Sequence, residues 1–395
     1  MTNLIDIKKE VLSLNEELIE LRRDFHKYPE LGYEEFRTAE KITEYLERLG
    51  LKTERFCKTG VVSTIEGNKE GKTIMLRADI DALPQREETN VEYASLNEGK
   101  MHACGHDGHT AMLLVAAKIL ANHKEKLNGN VKLVFQPNEE QAGAEDMIKE
   151  GVLENPKVDS AFGIHLWTPV ESGKIAVIEG PIMAACEEFK LTVIGESGHT
   201  SAPHEGNDPI LITCKIVEAL QALETRQANP LDPITIMVGK INGGSAKNII
   251  AGSVNIEGTI RFSFEEEKKG KERLLKNFKR IVDGICMAFS AKYELQFIPS
   301  NPSVNNDREM TNLVRKGAKE TLEDEKNLIK YRCLGGEDFA DFTHRVPSAF
   351  YFIGAGNREK ETHYPHHHPK FNIDEDVLKT GVEMHVRTVF NYLNM

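Results

Sequence analysis

The sequence predicts an α/β protein of two domains: a larger one with a mixed central sheet, assembled from both ends of the chain, and a smaller α+β domain inserted between them. Length is the first reason, because 395 residues exceed what one ordinary hydrophobic core organises. The second is a series of short apolar runs (73–81, 131–135, 160–164) set between stretches of helical periodicity, the pattern of strands alternating with helices. The third is the stretch 183–299. Its order of strand, loop, helix, two strands, helix and strand describes a four-stranded sheet with two helices on one face. The expected boundaries are 1–182 with 300–395 for the larger domain and 183–299 for the smaller.

Composition narrows the function classes. Apolar content of 40% and charged content of 28% are those of a folded globular chain and not of a disordered one. No apolar run reaches the roughly 18 residues of a membrane span. The polar start of the chain, 1–10, lacks the apolar segment of a signal peptide. A formal net charge of −12 leaves no basic excess to neutralise phosphates, which argues against nucleic acid as a partner. Cysteines at 57, 104, 186, 214, 286 and 333 show no paired spacing, so a reducing cytoplasm is expected.

Taken in order, Leu4, Ile7, Val11, Leu14, Leu18, Leu21 and Phe25 recur in steps of three and four, predicting one amphipathic helix that Pro29 and Gly32 end. A second helix is expected over 38–49, closed by Gly50. The run 73–81 reads as a buried strand finishing in Asp79 and Asp81, where an open α/β sheet forms its crevice. A helix is expected over 111–126. The strand 131–135 runs into Gln136-Pro137-Asn138-Glu139-Glu140, and adjacent carboxylates repel unless a cation or a proton separates them. The strand 160–164 delivers His165 at its end. Within the insert, helices are expected over 208–225 and 265–291. Beyond residue 300 come a helix (307–322), a loop at 335–339, a strand (350–354) and a last helix in the middle and end of 372–393. A loop between prolines carries His366, His367 and His368, of which at least one is expected to face the crevice.

The densest chemistry lies at 101–110, where ten residues hold one thiol, three imidazoles and one carboxylate, with two glycines that let the backbone turn tightly. Cys104 and His106 are its metal-type donors; Asp107 and His109 suit supporting or helix-start roles, and His102 a structural one. Together with Glu140, His165 and one of the three consecutive histidines, these make five mixed ligands from distant segments. That is more than a single tetrahedral zinc needs, and it fits two divalent metals sharing a bridging group, with positions open to water. Glu139, next to a ligand and not itself one, suits a general base. No Gly-rich phosphate loop, dinucleotide fingerprint or Gly-x-Ser-x-Gly elbow is present, which argues against a zinc alcohol dehydrogenase and against a serine nucleophile.

The motifs FHKYPELGYEE (25–35), RADIDALP (77–84), MHACGHDGHT (101–110), FQPNEE (135–140), FGIHLW (162–167), SGHTSAPH (197–204), NIIAGSVNIEGTIR (248–261), GGEDF (335–339) and HHHPKF (366–371) span nearly the whole chain. In this order they closely resemble the metal-dependent aminoacylase/carboxypeptidase family of amidohydrolases, in the branch of N-acyl-amino-acid deacetylases, hippurate hydrolases and auxin-conjugate hydrolases. The resemblance implies a zinc-peptidase-like domain interrupted by a ferredoxin-like lid and dimerisation domain. Carried over by position, it implies Cys104, His106, Glu140, His165 and His367 as metal ligands and Glu139 as general base. It also implies Asp79 or Asp81 as the orienting carboxylate, which spacing leaves open, and His199 as a group that steadies the oxyanion. Asn248 and Arg261 match positions that bind the substrate carboxylate, a role suited to the bidentate guanidinium.

The implied activity is hydrolysis of N-acyl amino acids, of acetyl or aroyl type, to a carboxylate and a free amino acid. The implied cofactor is two divalent ions per subunit (zinc, manganese, cobalt or nickel), and the implied assembly a homodimer or higher oligomer. A di-metal dipeptidase or carboxypeptidase is the close rival. A non-catalytic metal-binding protein is a further one, against which Glu139 speaks. The chain departs from the branch at Gln141-Ala142-Gly143, where consecutive glycines are usual, and at Ser197, where the usual motif is Gly-Gly-His; the first change bears on the substrate pocket.

Overall fold

The computed structural model describes residues 5–394. Its first two helices, α1 (Ile7–Ser13) and α2 (Asn15–Lys27), stand where the periodicity predicts one. The stripe from Ile7 to Phe25 is followed, while Leu4 lies outside the described residues. The break has a local cause: Ser13 Oγ turns back to donate to Glu10 O (2.7 Å), a bond that competes with helix propagation, and Leu14 leaves helical geometry at ψ 7°. There follow α3 (Phe36–Arg48), β1 (Thr53–Phe56), β2 (Gly60–Glu66) and β3 (Lys72–Asp79).

Helix α4 (His106–Asn122) begins at His106 and not at 111, because Gly105 adopts φ +91° and turns the chain straight into the first helical residue. It is buried on every side through Ala117, so no polar face marks where it starts. Strand β4 (Gly129–Gln136), helix α5 (Ala144–Lys149) and β5 (Ser160–Glu171) follow. His165 therefore sits inside β5 and not at its end. The strand runs on because its partner strand continues alongside, with Phe352 opposite His165 and Gly354 opposite Trp167. Two short strands, β6 (Ile175–Ala176) and β7 (Gly180–Met183), close this part of the chain.

The next elements form a second compact unit, Met183–Ser303 with Cys333–Gly336. They are β8 (Ala185–Ile194), α6 (Pro209–Ala222), β9 (Ile234–Gly243), β10 (Ser253–Phe262), α7 (Glu267–Ala288) and β11 (Lys292–Asn301). The four strands make an antiparallel sheet in the order β11-β8-β10-β9. Alternating residues Phe189, Leu191 and Val193 of β8 meet Ile216 and Leu220 of α6 and Phe278 and Val282 of α7 in one apolar cluster. Asp208 caps α6 by accepting from Ile210 N (2.9 Å), with Pro209 in the first turn.

The chain then completes the first unit with β12 (Val304–Asn306), α8 (Arg308–Thr321), β13 (Leu328–Ile329), α9 (Ala340–Thr343), β14 (Ser348–Gly356) and α10 (Leu378–Leu393). Its eight-stranded mixed sheet has the order β1-β2-β4-β3-β5-β14-β6-β13, and β7 pairs with β12 beside it. The centre is parallel: β3 pairs with β4 and β5, and β5 with β14. Such strands are apolar along their whole length, and every residue of β14 is buried. Helix α4 packs against α10 so closely that a Cβ on Gly381 would fall 1.9 Å from Met112 Sδ. No helix among the described residues is long and apolar enough to cross a membrane.

Candidate active site

Four segments of the first unit bring metal-type donors together. His106, at the first position of α4, places its Nδ1 2.9 Å from Asp81 O and 3.1 Å from Asp81 Oδ1; donation there leaves Nε2 buried and without a partner. His165 Nδ1 donates to Leu166 O (2.9 Å), so its Nε2 lone pair faces Cys104 Sγ, 3.6 Å away, and accepts from the thiol. The Glu140 backbone N–H donates to Asp81 Oδ2 (3.1 Å), while Glu140 Oε1 stands 3.3 Å from His367 Nε2. Donor atoms of Cys104, His106 and His165 lie within 4.8 Å of one another, as do those of Cys104, Glu140 and His367. The two sets share Cys104. His106, Glu139 and Glu140 form a third group within the same limit.

Local backbone explains each placement. Asn138 (φ +57°) and Ala142 (φ +65°) are both left-handed, which folds 137–143 into a tight loop displaying Glu139 and Glu140 on one short turn. His367 is left-handed too (φ +64°) and is tied to the thiol segment by its N–H to Ala103 O (2.8 Å). Its neighbours are engaged elsewhere: His366 Nε2 donates to Leu166 O (2.9 Å) with its ring stacked on Trp167, and His368 Nδ1 accepts from Lys370 N (3.0 Å). Of the three histidines, only His367 falls in a donor group.

Charge in this cluster is strongly coupled. Burial, then the Glu140 and Glu139 carboxylates, push the Cys104 thiol well above its ordinary range. Burial opposes charge on His106, but Asp79 and Asp81 outweigh it and lift the imidazole to about 10. Burial and the rings of His109 and His366 hold His165 well below its ordinary value, hence neutral. Glu139 is raised well above the carboxylate range, first by burial and then by Glu337, Asp338 and Glu140. A thiol, three imidazoles and a carboxylate, with His106 Nε2 and Glu140 Oε1 buried and lacking hydrogen bonds, fit a pair of divalent ions.

The two aspartates divide their work. Asp81 touches His106 and Glu140, as above. Asp79 Oδ1 accepts from His109 Nδ1 (2.6 Å), and His109 Nε2 accepts the Leu166 N–H (2.8 Å), which fixes β5 beside His165. Burial alone would raise Asp79, but His106, His109 and Arg77 bring it well below the carboxylate range. Asp107 Oδ2 accepts from Arg22 Nε (2.8 Å) and lies 2.7 Å from His26 Nδ1, away from the donor groups. His199 and Asn248 are exposed residues of the second unit, where Ser201 N donates to His199 Nδ1 (3.1 Å). Arg261 is half-buried there and donates to Leu334 O (3.1 Å).

Sequence reasoning missed Arg77, Gln136, Glu337 and Asp338. Arg77 is fully buried; its Nη1 donates to Asp79 Oδ2 (2.6 Å), its Nε to Gln136 Oε1 (2.9 Å), and its Nη2 meets Asp338 Oδ1 (2.8 Å) and Glu337 Oε1 (3.0 Å). The signal was present: an arginine inside an apolar strand has to find carboxylates.

The profile of Peptidase family M20/M25/M40 matches residues 75–391. Thermostable carboxypeptidase 1 of Saccharolobus solfataricus is 40% identical over 395 residues, covering 98% of each chain. N-acetyl-L-cysteine deacetylase of Bacillus subtilis is 40% identical over 93% of this chain and 86% of its own. Among solved structures, the YXEP protein of Bacillus subtilis, described as a dinuclear metal binding peptidase of the M20 family, superposes with a TM-score of 0.85 at 31% identity, covering 97% of this chain and 99% of its own.

Proposed function

The chain belongs to Peptidase family M20/M25/M40, and from that membership we propose that it is a metal-dependent amidohydrolase, cleaving N-acyl amino acids to a carboxylate and a free amino acid. The observation that carries this reading is the pair of donor sets sharing Cys104, with a largely covered carboxylate, Glu139, whose Oε2 stands 3.8 Å from His106 Nε2. Cys104, His106 and His165 would hold one divalent ion, and Cys104, Glu140 and His367 the other. When bound, the pair supplies Lewis acidity toward the amide carbonyl and acidifies water.

The chain's own residues do the rest. Glu139, made proton-seeking by burial and neighbouring carboxylates, takes the proton of the attacking water and delivers it to the departing amine. Asp81 fixes the tautomer and orientation of His106, and the Leu166 carbonyl does the same for His165. On the motif match we assign the oxyanion to His199 and the substrate carboxylate to Asn248 and Arg261.

A dipeptidase or carboxypeptidase activity is the second reading, favoured by the identity to a thermostable carboxypeptidase. One experiment separates them: chelated protein, re-supplied with zinc, manganese, cobalt or nickel singly, is assayed on acetyl- and benzoyl-amino acids and on dipeptides. Turnover is expected only with metal and mainly on the acyl-amino acids; deacylation by fully apo protein would sink the reading. Glu139→Gln is expected to lower kcat by about 10²–10⁴-fold while metal still binds.

We further propose a cytoplasmic homodimer. The six cysteines are all free, in keeping with a reducing compartment. In the smaller unit, Ile210 and Ile241 are about half exposed and line one cavity of about 420 Å³ beside β9, the outer strand of its sheet. An exposed apolar strip along a free strand edge is a surface that a second copy covers.

A further inference from the structure

One side chain grips both ends of the loop that presents Glu139 and Glu140. Gln136, the last residue of β4, enters the loop; Ala144, the first residue of α5, leaves it. Gln136 Nε2 donates to Asp338 Oδ1 (2.9 Å) and Oδ2 (2.7 Å), and the Ala144 backbone N–H donates to Asp338 Oδ2 (2.8 Å). Arg77 Nη2 donates to Asp338 Oδ1 (2.8 Å), which balances the charge of a carboxylate only 3% exposed. Carboxylate oxygens of Asp338, Glu337 and Glu139 lie within 4.8 Å of one another.

We propose that Asp338 is a positioning residue for Glu139: it clasps the loop 137–143 shut, so that the base keeps its distance from the reacting centre. The loop requires such a clasp. Asn138 and Ala142 are both left-handed; asparagine enters that region readily, but an alanine persists there only where surrounding contacts impose it. Inside the loop, Gly143 N to Asn138 O (2.8 Å), Ala142 N to Glu139 O (2.9 Å) and the longer Gln141 N to Asn138 O (3.3 Å) brace it; from outside, Glu35 Oε1 accepts from Asn138 N (2.9 Å) and Asp81 Oδ2 from Glu140 N (3.1 Å), and Asp338 is the group that ties its two ends. Asp338 meets donors on both oxygens, so an asparagine there would point its NH₂ at a donor whichever way it were flipped. Asp338→Asn thus opens the clasp while keeping shape and volume.

The inference rests on Glu139 as the base, and the same assay tests both. On the best acyl-amino acid, Asp338→Asn is expected to lower kcat by about 10²-fold with KM within about threefold, the signature of a displaced catalytic group. Metal content should stay at two ions per chain. A kcat within about threefold of wild type would overturn the proposal, as would a loss of kcat accompanied by an equal loss of bound metal. Should Asp338→Asn fail to fold, Gln136→Leu decides: it releases the entry side of the loop, together with the Arg77 Nε bond to Gln136, and leaves the Ala144 N–H on Asp338. There, kcat is expected to fall about tenfold with KM unchanged, and unchanged kcat overturns the clasp. If Glu139→Gln is inactive and Asp338→Asn fully active, the clasp alone fails; if Glu139→Gln is itself active, the base assignment fails first.

Discussion

Glu35 holds a proton at pH values where an exposed glutamate has lost it. Its Oε2 accepts from Thr59 Oγ1 (2.6 Å) and its Oε1 from Asn138 N (2.9 Å), yet burial outweighs both bonds and raises the carboxyl to about 7. Between about 4.5 and 7 the folded chain therefore binds a proton that the unfolded chain has released. Stability from this group is greatest below about 4.5 and is lost as pH rises toward 7, by an amount on the order of 1–3 kcal/mol. Comparing urea midpoints of wild type and Glu35→Gln at pH 5 and pH 7 checks this: the wild type should lose ground to the variant as pH rises, and a constant difference would refute it. In sequence, 25–32 is a compact polar turn, and nothing in the spacing of the residues that follow points to Glu35, because the partner it braces, Asn138, is distant along the chain. Arg77 shows itself as an arginine in an apolar strand, but its partners hide for the same reason. What a buried charge pairs with is decided by which strand ends meet, and that is a property of the sheet.

The loop 137–143 is where the chain departs from its branch, and its backbone shows what the departure costs. A Cβ on Gly143 would lie 2.2 Å from Pro137 O, so this glycine is the one the turn cannot give up. Ala142, by contrast, sits at φ +65°, a region that an alanine enters at a cost of about 1–2 kcal/mol. Two substitutions are thus expected to act in opposite directions. Gly143→Ala should abolish most activity by displacing Glu139 and Glu140, whereas Ala142→Gly should keep kcat and raise stability by up to about 1 kcal/mol. Steady-state kinetics with thermal unfolding of both variants is the check. The same pairing of legible and hidden holds for the longer elements. The existence and order of β3, β4, β5 and α4 follow from their apolar patterns. Where β5 stops and α4 starts do not, because the first depends on strand β14 and the second on the left-handed Gly105.

At the scale of the molecule, donors from four segments meet only when the sheet has formed, so metal binding and folding are linked. Divalent ion at about 100 times its Kd should stabilise the chain by about 2.7 kcal/mol, and chelation should lower the unfolding temperature reversibly. A melting curve indifferent to chelator and metal would contradict this. The order of β14 in the sheet, between β5 and β6, has a consequence for biosynthesis. Cys104, His106, Glu140 and His165 all leave the ribosome ahead of β14 and His367. At about 5–20 residues per second, tens of seconds separate the first donor from the last. Throughout that interval the nascent polypeptide displays a thiol and two imidazoles without the strand that orders them, and scavenging of a stray ion or an oxidant is then a hazard of translation. On the proposed ligand set, the site is completed by the arrival of the carboxyl-terminal segment, and a prematurely terminated product lacks the donor His367 supplies.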